Sequence, residues 1–146
     1  MREEIELLEF IFQNAKIAAE SIARIRKERK KEDDLDILLK ENLLNYKKIS
    51  NAAKTMIERR TKKVRDISLL TKLATYMNVK LNGINEDSTS SVAKMLIQAS
   101  TMGRNEIIEK INDYKIRNKN VSNIANRLLL FEEQNIENLT NFLKYN

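Results

Sequence analysis

No proline interrupts this 146-residue chain, and glycine occurs only at Gly83 and Gly103. In a helix interior proline costs about 3 kcal/mol and glycine about 1 kcal/mol relative to alanine, so the residues that most often stop a helix are almost absent. Apolar residues recur three and four apart over long stretches. Ile5, Leu8, Phe12, Ala15, Ala19 and Ile22 make a first stripe, which Ile11, Ala18 and Ile25 widen. Leu35, Leu38, Asn42, Tyr46, Ile49, Ala53 and Met56 make a second. A third runs Val92, Leu96, Ala99, Gly103, Ile107, Ile111 and Tyr114, and a fourth Val121, Ile124, Leu128, Phe131, Asn135, Leu139 and Phe142. Each stripe covers about a third of a helix, which suits a face turned to a core rather than a rod apolar all round. The fold class is all-α, with four long helices in one domain spanning 1–146.

The joints set the topology. Residues Arg29 to Glu32 separate the first two helices, with Asp33 or Asp34 available as N-cap. Asn118 to Asn120 separate the last two, with Asn120 expected to cap the fourth. Joints this short make each pair an antiparallel hairpin. The middle joint is longer. It holds an amphipathic piece, Ile67, Leu70, Leu73, Ala74, Met77 and Leu81, then the loop 82–87, with Ser88 as the expected cap of the third long helix. A helix of about 26 residues is about 39 Å long; about 14 helical residues give about 21 Å, and each loop residue adds a few more. The middle joint is therefore long enough to reach from one end of the bundle to the other. The expected architecture is a ferritin-like four-helix bundle, two antiparallel hairpins joined by a crossover containing a short helix. The alternative is an up-down bundle with the short helix packed across one end. Charge agrees with the first hairpin: each helix begins acidic and ends basic, so antiparallel packing sets Arg24, Arg26 and Arg29 beside Asp33, Asp34 and Asp36. Exposed pairs of this kind are worth about 0–1 kcal/mol each, enough to select orientation.

Composition removes several kinds of chemistry. With no Cys and no His, thiolate nucleophiles, imidazole bases and imidazole metal ligands are excluded. The longest aliphatic-aromatic run is Leu128 to Phe131, far short of the ~20 residues that a bilayer requires, so no membrane partner is expected. Glu3, Glu4, Glu6 and Glu9 occupy the place of a basic, then apolar, signal segment; the expected location is the cytoplasm. The net charge of +6 is spread evenly along the chain. Its densest patch is Arg59, Arg60, Lys62, Lys63 and Arg65, at the end of the second helix, where cations also suit the helix dipole. A salt-sensitive phosphate contact without sequence preference is the most this patch implies.

The remaining candidates are polar residues on or beside the stripes. A ferritin-type dimetal site takes a Glu from two helices and Glu-x-x-His from the other two, and without His that site cannot form. Glu20, Glu41, Glu106, Glu109 and Glu132 leave only an all-oxygen set for Mn, Mg or Ca, against the plainer reading that they flank the stripes in solvent. Asn42 and Asn135 fall on core faces, where a polar residue fixes register or lines a cavity; Gln98 and Met102 lie near the same face of the third helix. Ala99 and Gly103, with Ala15, Ala18 and Ala19, let backbones approach closely.

The segment Ser88 to Tyr114, centred on Met95 to Gly103, resembles small helical proteins of Gram-positive bacteria, together with Ile11 to Ala15 and Leu128 to Ile136. The resemblance implies a ferritin-like bundle of unknown activity. Such proteins carry His and Glu near the start of the third long helix, where this chain has Ser91 and Lys94, a departure that weakens a metal site. The expected function is therefore a non-catalytic interaction or structural module without a cofactor, its partner a protein or a second copy. The alternative is a degenerate carboxylate metal-binding protein, and the third a non-specific nucleic-acid binder.

Overall fold

The computed structural model describes residues 2–61, 71–84 and 89–145. These form five helices: α1 (Arg2–Arg29), α2 (Asp34–Glu58), α3 (Thr71–Leu81), α4 (Thr89–Tyr114) and α5 (Lys119–Tyr145). Among the described residues there is no strand. The four long stripes and the described part of the short amphipathic piece, Leu73 to Leu81, are thus helical. Ser88, Ile67 and Leu70 lie outside the described residues.

The termini follow local chemistry. Asp33 caps α2, its carboxylate accepting from the Asp36 amide at 2.9 Å. At the start of α5 the cap is Asn118 and not the expected Asn120: the Asn118 side chain accepts from the amides of Asn120 at 3.0 Å and Val121 at 3.2 Å. The helix begins one residue before Asn120, which places Asn120 inside the first turn. Neither α1 nor α4 ends on glycine. Lys30 (φ 55°) and Lys115 (φ 50°) take the left-handed conformation, and their amides bond back to Arg26 and Ile111. A lysine there suits the negative end of the helix dipole.

Helices α1 and α2 pack together, as do α4 and α5. The first pair is antiparallel. Arg26 Nε meets Asp36 at 2.8 Å at one end, and Arg60 Nε meets Glu4 at 3.4 Å at the other. The basic-to-acidic complementarity of the two helices is realised in these contacts. One of its members is far from a surface pair, because Arg29 is completely buried. Its guanidinium grips both Asp33 oxygens, at 3.2 and 2.6 Å, and donates to the Thr89 hydroxyl at 3.0 Å. That last bond brings the start of α4 to the end where α1 finishes and α2 begins. Helix α3 packs against α1 and α4.

The core lies where the stripes converge. Leu8, Ile11, Ala15, Leu35, Ile49, Ala53, Val92, Ile107, Val121, Leu128 and Leu139 are all buried. The buried arc is wider than the stripes: Leu7, Phe10, Leu39 and Ile57 join it, whereas Phe12, Leu38 and Met56 are only half-buried. Each long helix touches more than one neighbour, so burial extends beyond a single line of residues. Leu73, Met77 and Leu81 of α3 are buried as well, so this helix closes onto the core.

Candidate functional site

Halfway along the bundle the core becomes polar. Asn14 comes from α1, Asn42 and Tyr46 from α2, Ser100 from α4, and Glu132 with Asn135 from α5; all six are buried. Within each helix the pairs stand three or four apart, so both members share one face. The expectation that Asn42 and Asn135 lie on core faces holds, and the structure joins them to each other. Asn42 Nδ2 donates to Asn135 Oδ1 at 2.6 Å, and Asn135 Nδ2 donates to Ser100 Oγ at 3.0 Å. This relay links three helices. One pairing is specified by the amide geometry, which supports the register role of both residues.

Beside the relay, Tyr46 donates its hydroxyl proton to Glu132 Oε1. The Tyr46 ring stands edge-on to Phe131, centroids 4.8 Å apart and planes at 77°. Burial pushes the Glu132 carboxyl up to about 8, while the Tyr46 hydrogen bond acts in the opposite direction. Burial, then the nearby Glu132 charge and hydrogen bond, holds the Tyr46 phenol well above its ordinary value. At neutral pH Glu132 is thus mainly the neutral acid, the form that a dry site favours.

Gly103 makes room for this carboxyl. A Cβ on Gly103 would collide with Glu132 Oε2 and come within 3.2 Å of Asn14 Nδ2. Glu132 is fixed by Tyr46, so its retreat would disturb a buried hydrogen bond. G103A is therefore expected to destabilise the protein by about 2 kcal/mol: overpacking costs about 1–3 kcal/mol and a disturbed buried bond about 1–3 kcal/mol, against a gain of about 1 kcal/mol in helix propensity. Urea titration checks this; a midpoint unchanged or raised would mean that Glu132 yields freely.

Asn14, Ser100, Tyr46, Glu132 and Asn135 border a cavity of about 20 Å³, which Leu73 and Met77 of α3 help to enclose. Asn14 Nδ2 makes no hydrogen bond among the described residues. A space of that size admits about one water molecule and is far below the ~300 Å³ of a small-molecule site.

The five carboxylates considered for a metal are not brought together. Glu20, Glu41 and Glu109 are exposed, Glu106 is half-buried, and only Glu132 enters the core. Among the described residues no three acidic side chains cluster closely enough to hold an ion. Three of the five lie on outer helix faces, and adjacency to a stripe in sequence does not turn a side chain inward. Gln98 is likewise exposed and Met102 half-buried. Of the basic patch, Arg59 is exposed and Arg60 half-buried, while Lys62, Lys63 and Arg65 lie outside the described residues. Sequence reasoning missed Asn14, Ser100, the Tyr46–Glu132 pair and buried Arg29. One signal was available: Leu128, Glu132, Asn135 and Leu139 run at helical spacing on one face. No family model, no curated protein and no solved structure is significantly similar to the chain.

Proposed function

We propose that this protein is a ferritin-like four-helix bundle with α3 in its crossover, acting as a non-catalytic module that binds a protein or a second copy of itself. One observation carries the reading. Apart from Asn14 Nδ2, the polar residues at the centre are hydrogen-bonded to one another, around a cavity with room for about one water molecule. A catalytic centre leaves its groups open to a substrate; here they tie helices together. The topology has its own support. α2 and α4 both begin at the end where α1 finishes, as the contacts of Arg29 with Asp33 and Thr89 require, and a crossover along the bundle meets that condition. The absence of any described acidic cluster weighs against the carboxylate-metal alternative.

Two measurements on the untagged protein, purified without chelators, decide between them. Metal analysis is paired with thermal melts with and without Mn²⁺ and Fe²⁺, and sedimentation velocity is run from low to high micromolar concentration. Metal-free protein, an unmoved melt and concentration-dependent association are expected. A stoichiometric metal, with a melt raised several degrees by the ion, would replace the proposal with the metalloprotein reading. Strict monomers at every concentration would remove self-association.

A further inference from the structure

We propose that the cleft between the end of α2 and the start of α5 binds a small phosphate-bearing molecule. The inference is independent of the module reading above. The sequence places Arg59 and Arg60 in a basic run, but the fold adds Arg127 from α5, 67 positions beyond Arg60, with Asn123 and Asn120 one and two turns before it on the same face. The cleft measures about 400 Å³, within the ~300–1,000 Å³ of small-molecule sites. No acidic residue is among those that line it; Met56 and Ile124 supply an apolar wall.

The three guanidiniums differ in how they are held. Arg60 is braced: Nη1 donates to the Met56 carbonyl at 2.9 Å and Nε to Glu4 at 3.4 Å, with the side chain only 14% exposed. Two of its five N–H groups are thus committed, and the rest have no partner among the described residues. Among the described residues, neither Arg59 nor Arg127 is in an ion pair, so both are free to close on a ligand. One fixed and two adjustable forks suit phosphate, whose oxygens accept guanidinium N–H groups in pairs. The helix dipoles do not decide the matter: the negative end of α2 and the positive end of α5 meet here and oppose each other. The positive charge of the cleft is therefore a property of its side chains, three guanidiniums in a lining that holds no acidic residue. An extended polynucleotide fits less well. It requires a basic stripe along a face, whereas the three arginines here gather round one cleft.

Titration calorimetry of the full chain tests the site. The probes are pyrophosphate, adenosine monophosphate, adenosine as the phosphate-free body, and a mixed-sequence single-stranded oligonucleotide. One-to-one binding of pyrophosphate or the monophosphate, with none of adenosine, is expected. The R59A/R127A double variant should bind about a hundredfold more weakly, about tenfold for each guanidinium lost. Both side chains are exposed, so circular dichroism and the melt should not change. R127K keeps the charge without the fork and should fall between the two. Saturable binding of neither phosphate probe would overturn the proposal, as would binding that the double variant leaves unaltered. Binding confined to the oligonucleotide, and tightening with its length, would overturn it in favour of a nucleic-acid surface.

Discussion

The stability of this protein is expected to fall as pH rises from about 4.5 to about 8, and E132Q is expected to abolish most of that slope. Glu132 titrates near 4.5 when unfolded and at about 8 in the bundle, where burial penalises its charge. Between these values the folded chain holds a proton that the unfolded chain has lost, so folding takes up a proton. The stability that Glu132 contributes is fully present below about 4.5 and is lost as pH rises through about 8. Each unit of that window weakens folding by about 1.4 kcal/mol, for a total of about 5 kcal/mol. Set against a typical total of about 5–15 kcal/mol, the effect is large. Glutamine keeps the shape of the neutral acid and an oxygen for the Tyr46 hydroxyl, but it does not ionise. E132Q should therefore match the parent near pH 4.5 and exceed it at pH 8. Urea titrations across this range provide the check; equal slopes in the two proteins would show that Glu132 is not the titrating group. Asp33 acts on the other flank. Its carboxyl is held below its ordinary value chiefly by the Arg29 hydrogen bond, against a smaller opposing effect of burial and with further help from the Asp36 amide. Its contribution is present above the usual carboxylate range and is lost as pH falls through its lowered value. Taken alone, these two groups favour the folded state most on the acid side of neutrality.

Removal of the Arg29 side chain is expected to cost about 3 kcal/mol. Arg29 is the bulkiest fully buried side chain among the described residues, and it ties the end of α1 to the cap of α2 and the start of α4. R29A deletes two charge-assisted bonds to Asp33 and one to Thr89, and leaves a void where the stem packed. The loss stays below the largest values for broken buried pairs, because the Asp33 side chain is 36% exposed and water can solvate it. R29M refills most of the void without the bonds and should recover about half of the loss, which separates packing from hydrogen bonding. In a domain of this size about 3 kcal/mol corresponds to a melting temperature lower by about 8 °C. Amide exchange gives a second readout. Residues at the start of α4 should exchange faster in both variants, since the Thr89 bond is lost in each. Wild-type exchange there, or a midpoint within about 0.5 kcal/mol of the parent, would mean that Arg29 is only a spectator in the joint.

Residues close in sequence made much of the fold legible. The stripes around Ile22, Ile49, Ile107 and Leu128 repeat at the helical period. No proline interrupts them, and Asp33 stands where a helix start needs an acceptor. Each of these signals acts within a few residues, because a helical turn and its cap are built from near neighbours. Even so, the cap of α5 moved from Asn120 to Asn118, since two asparagines competed for one role over three positions. The candidate sites were less legible for a related reason. Glu20, Glu41, Glu106, Glu109 and Glu132 are chemically alike in the sequence, and all but one remain outside the core.

What the sequence determined alone is the secondary structure and the approximate faces: long amphipathic helices, short joints, and asparagines on the apolar side. What only the tertiary structure decided is which polar groups meet. Tyr46 finds Glu132 across 86 positions, Asn42 finds Asn135 across 93, and Arg127 joins Arg59 and Arg60 from another helix. The physical reason is range. Helical periodicity is a property of adjacent turns, whereas the burial of a carboxyl, its raised pKa and the space above Gly103 depend on the rotation and height at which separate helices pack.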